Sequence, residues 1–112
     1  MREIKIIDKD EAERIAEDGI VTHRLITAKD GSPDVTFGIS SMPLGHHDPA
    51  VTYPDHDEII FIVSGVVEFS INGETQSLGK GKTIFIPKGE TYGYKVVEGP
   101  NEVYYAFSPA KN

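Results

Sequence analysis

The sequence predicts an all-β domain, and three observations carry that expectation. From Gly19 onward, apolar and polar residues alternate in period two or gather in short β-branched runs, with turn-forming residues about every ten positions. Asn72-Gly73 stands between two such runs, and this dipeptide suits a two-residue hairpin turn in which both central residues need positive φ. Eight or so short strands in about ninety residues must close on themselves or stack as two sheets to cover their edges, and a small jelly-roll barrel does both. By pattern alone, a sandwich of immunoglobulin type competes with it.

Taken in order, Asp8 to Gly19 is predicted as one short N-terminal helix, with Asp side chains able to cap, acids in the first turn, apolar Ala12, Ile15 and Ala16, and Gly19 as a stop. Ile20 to Ala28 is the first strand, Lys29 to Pro33 a turn, and Val35 to Ser40 the second strand. Met42 to Pro49 is too rich in Pro and Gly for a ladder and reads as a loop delivering His46 and His47 just ahead of Val51 to Pro54. Ile59 to Val63 and Val66 to Ile71 read as two strands around a tight turn at Ser64-Gly65, after which Asn72-Gly73 returns Glu74 to Leu78 alongside. Thr83 to Ile86 is a strand stopped by Pro87, which has no N–H to donate, and Gly89 can supply a φ that a Cβ forbids. Tyr92 to Val97 and Glu102 to Phe107 complete the set around a turn at Glu98 to Asn101.

At 112 residues the chain is the size of one domain, spanning 1–112, and buries enough surface to stand without staples. It has no cysteine, which removes disulfides and thiolate metal sites, so any metal must sit on His, carboxylate or Tyr. A net charge of −7 and a pI near 4.9 disfavour a phosphate backbone or an anionic lipid surface. No apolar run approaches a membrane span, and the start Met1 to Lys5 alternates charge with aliphatic residues instead of showing a signal peptide. The expectation is a cytoplasmic protein with neither nucleic acid nor membrane as partner. Gly81-Lys82-Thr83 ends like a phosphate-binding loop, but Gln76 stands where its first glycine belongs and a strand follows instead of a helix. No Ser sits in a nucleophile elbow.

Two segments carry a family likeness. Glu58 stands seven residues before Gly65, and Gly81 is followed after five residues by Pro87-Lys88-Gly89 and then, two residues on, by Tyr92. This resembles the paired signatures of the cupin family: a Gly, His-x-His, a Glu and a later Gly, then Gly, Pro-x-Gly and a final His. The resemblance covers roughly residues 45–97 and implies a double-stranded β-helix, the jelly-roll barrel, over the sandwich. It also implies a divalent metal at the barrel mouth, held by the histidines and the Glu. Here those histidine positions read Thr52, Pro54 and Tyr92, so the usual site is expected to be lost. Asp57-Glu58-Ile59, Gly65, the run Phe85 to Gly89 and the tail Tyr104 to Ala110 are most similar to the small ethanolamine-utilisation cupins, a group that also lacks the histidine pair.

The resemblance implies that positions 52, 54 and 58 look into the barrel with Tyr92 opposite, as the shared face of residues two apart on a strand allows. Glu58 and Tyr92 are the candidate acid and base, with Thr52, His56 and Tyr94 as candidate ligand contacts. Against this, Glu58 reads as a structural carboxylate satisfied by its neighbours, His56 as a surface residue, and each Tyr as core or rim. His56 shares the parity of Glu58 if the strand is unbroken, but Pro54-Asp55 invites a bulge that resets the faces. His46 and His47 are adjacent and point opposite ways, so at most one can face the mouth, where it could form a relocated metal site with His56 and Glu58. Tyr104 is expected near Tyr92 and Tyr94. Three functions are consistent with these residues: a metal-poor cupin binding a small polar metabolite, acting as an isomerase or lyase through Glu58 with Tyr92 or His56; a non-catalytic sensor or accessory protein; and a metal-dependent enzyme using the relocated site. A homodimer is expected, because a small barrel still presents sheet edges.

Overall fold

A computed structural model describes residues 4–111; Met1, Arg2 and Glu3 of the predicted start, and Asn112, lie outside the described residues. The fold is the expected antiparallel double-stranded β-helix, built from β1 (Glu13–Glu17), β2 (Ile20–Ile26), β3 (Thr36–Met42), β4 (His47–Thr52), β5 (Asp57–Ile71), β6 (Glu74–Leu78), β7 (Thr83–Ile86) and β8 (Thr91–Ser108). Among the described residues no helix is long and apolar enough to cross a membrane.

The predicted N-terminal helix is overturned. Only Lys9–Glu11 turns, as one 3-10 turn capped by the Asp8 side chain, and Glu13–Glu17 is a strand paired with β2. The reason is local and tertiary together. Asp18 (φ 53°) and Gly19 (φ 81°) both take positive φ, making a two-residue hairpin turn. The ladder with β2 then outweighs a helix propensity that was weak over so few residues. The same chemistry makes the Asn72-Gly73 hairpin as predicted, at φ 51° and 80°.

β5 and β8 are the spine of the molecule, and each does the work of two predicted strands. The first half of β5 pairs with β7, and with residues 102–108 of β8; beyond Gly65 it pairs with β6, and with residues 93–98 of β8. β3 joins one end of β8 while β4 joins the other. The two long strands thus pass from one sheet layer to the other, and the turns expected at Ser64-Gly65 and at Glu98 to Asn101 are bends within them. Register shifts between Ile62 and Val67 mark one bend. The loop expected at Met42 to Pro49 is shorter than predicted: His47 opens β4, which tolerates Pro49 because its ladder is irregular between Asp48 and Val51.

Each bend also reverses which positions face inward. In β5 the buried side chains are Glu58, Ile60 and Ile62, then Val67 and Phe69; in β8 they are Tyr92 and Val96, then Asn101, Val103 and Phe107. Ile62, Val67 and Val96 are fully buried and anchor the core. Each such side chain contributes about 1.5–3 kcal/mol by its removal from water.

Candidate functional site

Between the two layers lies an open cavity of about 270 Å³. Its base is the core around Ile60, Val67, Phe69 and Val103, and its polar lining comes from both layers. Glu58, 5% exposed, reaches in from β5 and Tyr92, 4% exposed, from β8. The Tyr92 hydroxyl donates to Glu58 Oε1 at 2.7 Å.

Burial is the main force on Glu58, pushing its pKa from 4.5 to about 7; the Tyr92 hydrogen bond and the charge of Lys111 pull it the other way. At neutral pH the group is therefore balanced between acid and base. Burial, then the neighbouring Glu58 charge and hydrogen bond, push the Tyr92 phenol well above its ordinary value. It is a neutral hydrogen-bond donor and not a base. Burial likewise raises Tyr53 and Tyr94 to about 12, so the cavity carries several protonated phenols.

The other predicted residues distribute unevenly. Tyr94 lines the cavity, and its hydroxyl lies 3.1 Å from His46 Nε2. Thr52 does not line it: its side chain is exposed and bonded to Thr91 Oγ1 at 2.6 Å, while Val51 and Tyr53 face inward. The Pro54-Asp55 turn resets the parity between β4 and β5, so positions 52 and 58 do not share a face. His56 follows that turn but precedes the first residue of β5, so strand alternation does not reach it; its Nδ1 meets the Pro109 carbonyl at 2.8 Å and its ring packs by Phe107, away from the cavity lining. His47 is exposed, opposite Lys95. Tyr104 is displaced too. The bend in β8 turns it to the outer surface against Phe61, and Tyr105 takes the inward place.

The donor set does not fit a metal ion. Thr52 faces away, Pro54 has no donor, and Tyr92 is a phenol engaged with Glu58. His46, His47, His56 and Glu58 do not converge, and among the described residues no group of three or more His, Asp or Glu could hold a cation. The four residues of the relocated site thus lie apart, with His56 held at Pro109 and His46 at Tyr94.

Sequence reasoning missed Asp48, Tyr53, Tyr105, Arg24 and Lys111, all of which line the cavity. Alternation within β2 and the last part of β8 carried a signal for Arg24 and Tyr105. For Tyr53 and Lys111, outside the regular strands, there was none.

The family model described as a cupin domain matches residues 38–107. An uncharacterised protein of Streptomyces coelicolor is 26% identical over 106 residues, 95% of each chain. The acetate kinase EutQ of Clostridioides difficile is 29% identical over 90 residues, which is 80% of this chain and 55% of that relative's length. Among solved structures, KdgF from Halomonas sp. is similar with a TM-score of 0.83 at 23% identity, over 96% of each chain.

Proposed function

The chain belongs to the cupin family, and from that premise we propose that it binds a small polar metabolite in the cavity and acts on it by proton transfer, as an isomerase or lyase. The observation that carries this is the Glu58–Tyr92 contact, a carboxyl group near neutral pKa beside a phenol that stays protonated. Glu58 in its ionised form takes a proton from substrate carbon. Tyr92 then turns its hydroxyl from Glu58 to the oxyanion that develops, and Glu58 returns the proton at a neighbouring atom or to a leaving group. His56 has no part in this, since it lies outside the cavity.

A sensor would call for a sealed, apolar pocket; the open cavity with Glu58 and Tyr92 in its lining supports catalysis instead. The test is to find a ligand by thermal-shift screening, then follow its carbon-bound protons by NMR in heavy water. Wild type is expected to exchange deuterium into the ligand, and Glu58→Gln to bind it while exchanging about 10²–10⁴-fold more slowly. Tyr92→Phe is expected to keep binding and lose part of the rate. A ligand that binds both wild type and Glu58→Gln with no exchange by either makes the protein a binding module.

We also infer a homodimer. Phe61 and Tyr104 stack at 6.1 Å on the outer face of β5 and β8, Phe37 lies 5.9 Å from Tyr104, and Ile59 and Phe85 beside them are 45% and 57% exposed. A contiguous apolar patch of this kind is covered more often than not by another surface. Light scattering should give twice 12.3 kDa for wild type and the single mass for Phe61→Glu; a monomeric wild type refutes the inference.

A further inference from the structure

Arg24 and Lys111 put two cations into a cavity on a protein of net charge −7. Arg24 lies on the inward face of β2, in line with Ile20 and Thr22. Among the described residues its ionic partner is Glu13, through one oxygen at 3.7 Å on a half-exposed side chain. A guanidinium has five donors in a planar fork, and most of them are left for another group. Its strand neighbour is Gly38, whose missing side chain leaves the space across which the Tyr105 ring lies.

Lys111 is close to the end of the chain, yet it is held. The Thr36 hydroxyl donates to the Lys111 carbonyl at 2.5 Å and accepts from the Lys111 N–H at 2.6 Å. That double contact sets the ammonium 5.4 Å from the Tyr53 ring centroid and 5.3 Å from that of Phe107, both cavity residues. Thr36 and Gly38 are two apart on β3 and share its inward face, so the anchor of Lys111 and the row of Arg24 are separated by about 7 Å along the strand. Both long cationic side chains line the same cavity.

We propose that the cavity takes a small hydroxycarboxylate, its carboxylate held by Arg24 and Lys111 and its hydroxyl end turned to Glu58 and Tyr92. The proposal rests on the reading of this cavity as the ligand site and adds the class of ligand. Arg24 supplies planar two-point recognition and Lys111 a point charge. Asp48 and Glu58 are the acids in the same cavity. They oppose a second negative group on the ligand, so one carboxylate is favoured over two.

The probe pair is glycolate and its neutral amide, glycolamide, titrated into isotope-labelled protein with amide shifts as the readout. Glycolate is expected to shift the amides of Gly38, Tyr105 and Lys111 saturably, and glycolamide to bind at least about tenfold more weakly. Arg24→Gln and Lys111→Met should each weaken glycolate about tenfold; Arg24→Gln should leave the thermal midpoint unchanged, since the exposed Glu13 pair adds little stability, while Lys111→Met lowers it modestly through loss of the ammonium over Tyr53 and Phe107, with the fold kept by the backbone contacts to Thr36. Arg24→Lys should recover part of the affinity. Equal binding of the two probes, or glycolate shifts that survive both charge-removing variants, overturns the anion proposal while leaving the cavity a ligand site. No saturable shift from either probe overturns the proposal as well, and the deuterium-exchange experiment then decides the wider reading separately.

Discussion

Glu58→Gln is expected to stabilise the protein relative to wild type by about 3 kcal/mol more at pH 8.5 than at pH 4. The pKa of Glu58 is 4.5 ordinarily and about 7 in the folded protein. Below pH 4.5 the group is protonated in both states and its favourable neutral burial is fully present. Between these values the folded protein keeps a proton that the unfolded chain has released, so stability falls as pH rises. Above about 7 the ionised carboxylate must be buried, and the loss is complete. Gln keeps an oxygen to accept from Tyr92 and carries no charge to bury, so this pH-dependent loss vanishes in the variant. Urea unfolding of both proteins at the two pH values measures the difference. A gap that does not change with pH means that Glu58 is not held near neutrality, and the acid-base role falls with it.

Gly65→Ala is expected to cost about 2–5 kcal/mol, the sum of a left-handed backbone penalty and an overpacking term. Gly65 has φ +78°, and a Cβ there would stand 2.6 Å from the Glu98 carbonyl oxygen, 2.8 Å from that of Pro100 and 3.0 Å from Asn101 Cα. All three are backbone atoms of the bend in β8, so no side chain can swing aside. Gly73 is the natural comparison, because its φ is +80° and no atom lies within 4 Å of a Cβ built there. Gly73→Ala should therefore show only the backbone penalty, about 1–2 kcal/mol. Denaturant melts of the two variants separate the close approach from the conformation. Equal losses would falsify the crossing of β5 over β8 as the tight point of the barrel.

Much of this molecule is legible in its residues, because some of its signals are local. Asn72-Gly73 requires positive φ twice whatever surrounds it, and it makes its hairpin; Thr83 to Ile86 ends at Pro87 because proline cannot extend a ladder. The meeting of Glu58 and Tyr92 is what the cupin resemblance of the two signatures implies, and the 2.7 Å contact matches it. Asp18-Gly19 carried the same hairpin information as Asn72-Gly73, but acids and alanines around it matched a helix template over a short window. Pairing with β2 outweighed that match.

The amino-acid sequence by itself determined the all-β class, the turn positions with special φ, and the replacement of imidazole by threonine, proline and tyrosine at the signature positions. Tertiary structure alone decided which side chains enter the cavity. Alternation predicts a face only while a strand stays regular. β5 and β8 bend between layers, β4 is irregular at Pro49, and Pro54-Asp55 turns, so each break shifts the inward set by one residue. That shift sends Thr52 and Tyr104 out and brings Tyr53 and Tyr105 in; His56 stands ahead of β5 and is held by the Pro109 carbonyl, and Lys111 arrives through contacts with Thr36 that span 75 residues of chain. Such a break depends on what the opposing strand leaves room for, a property of the folded pair and not of either segment.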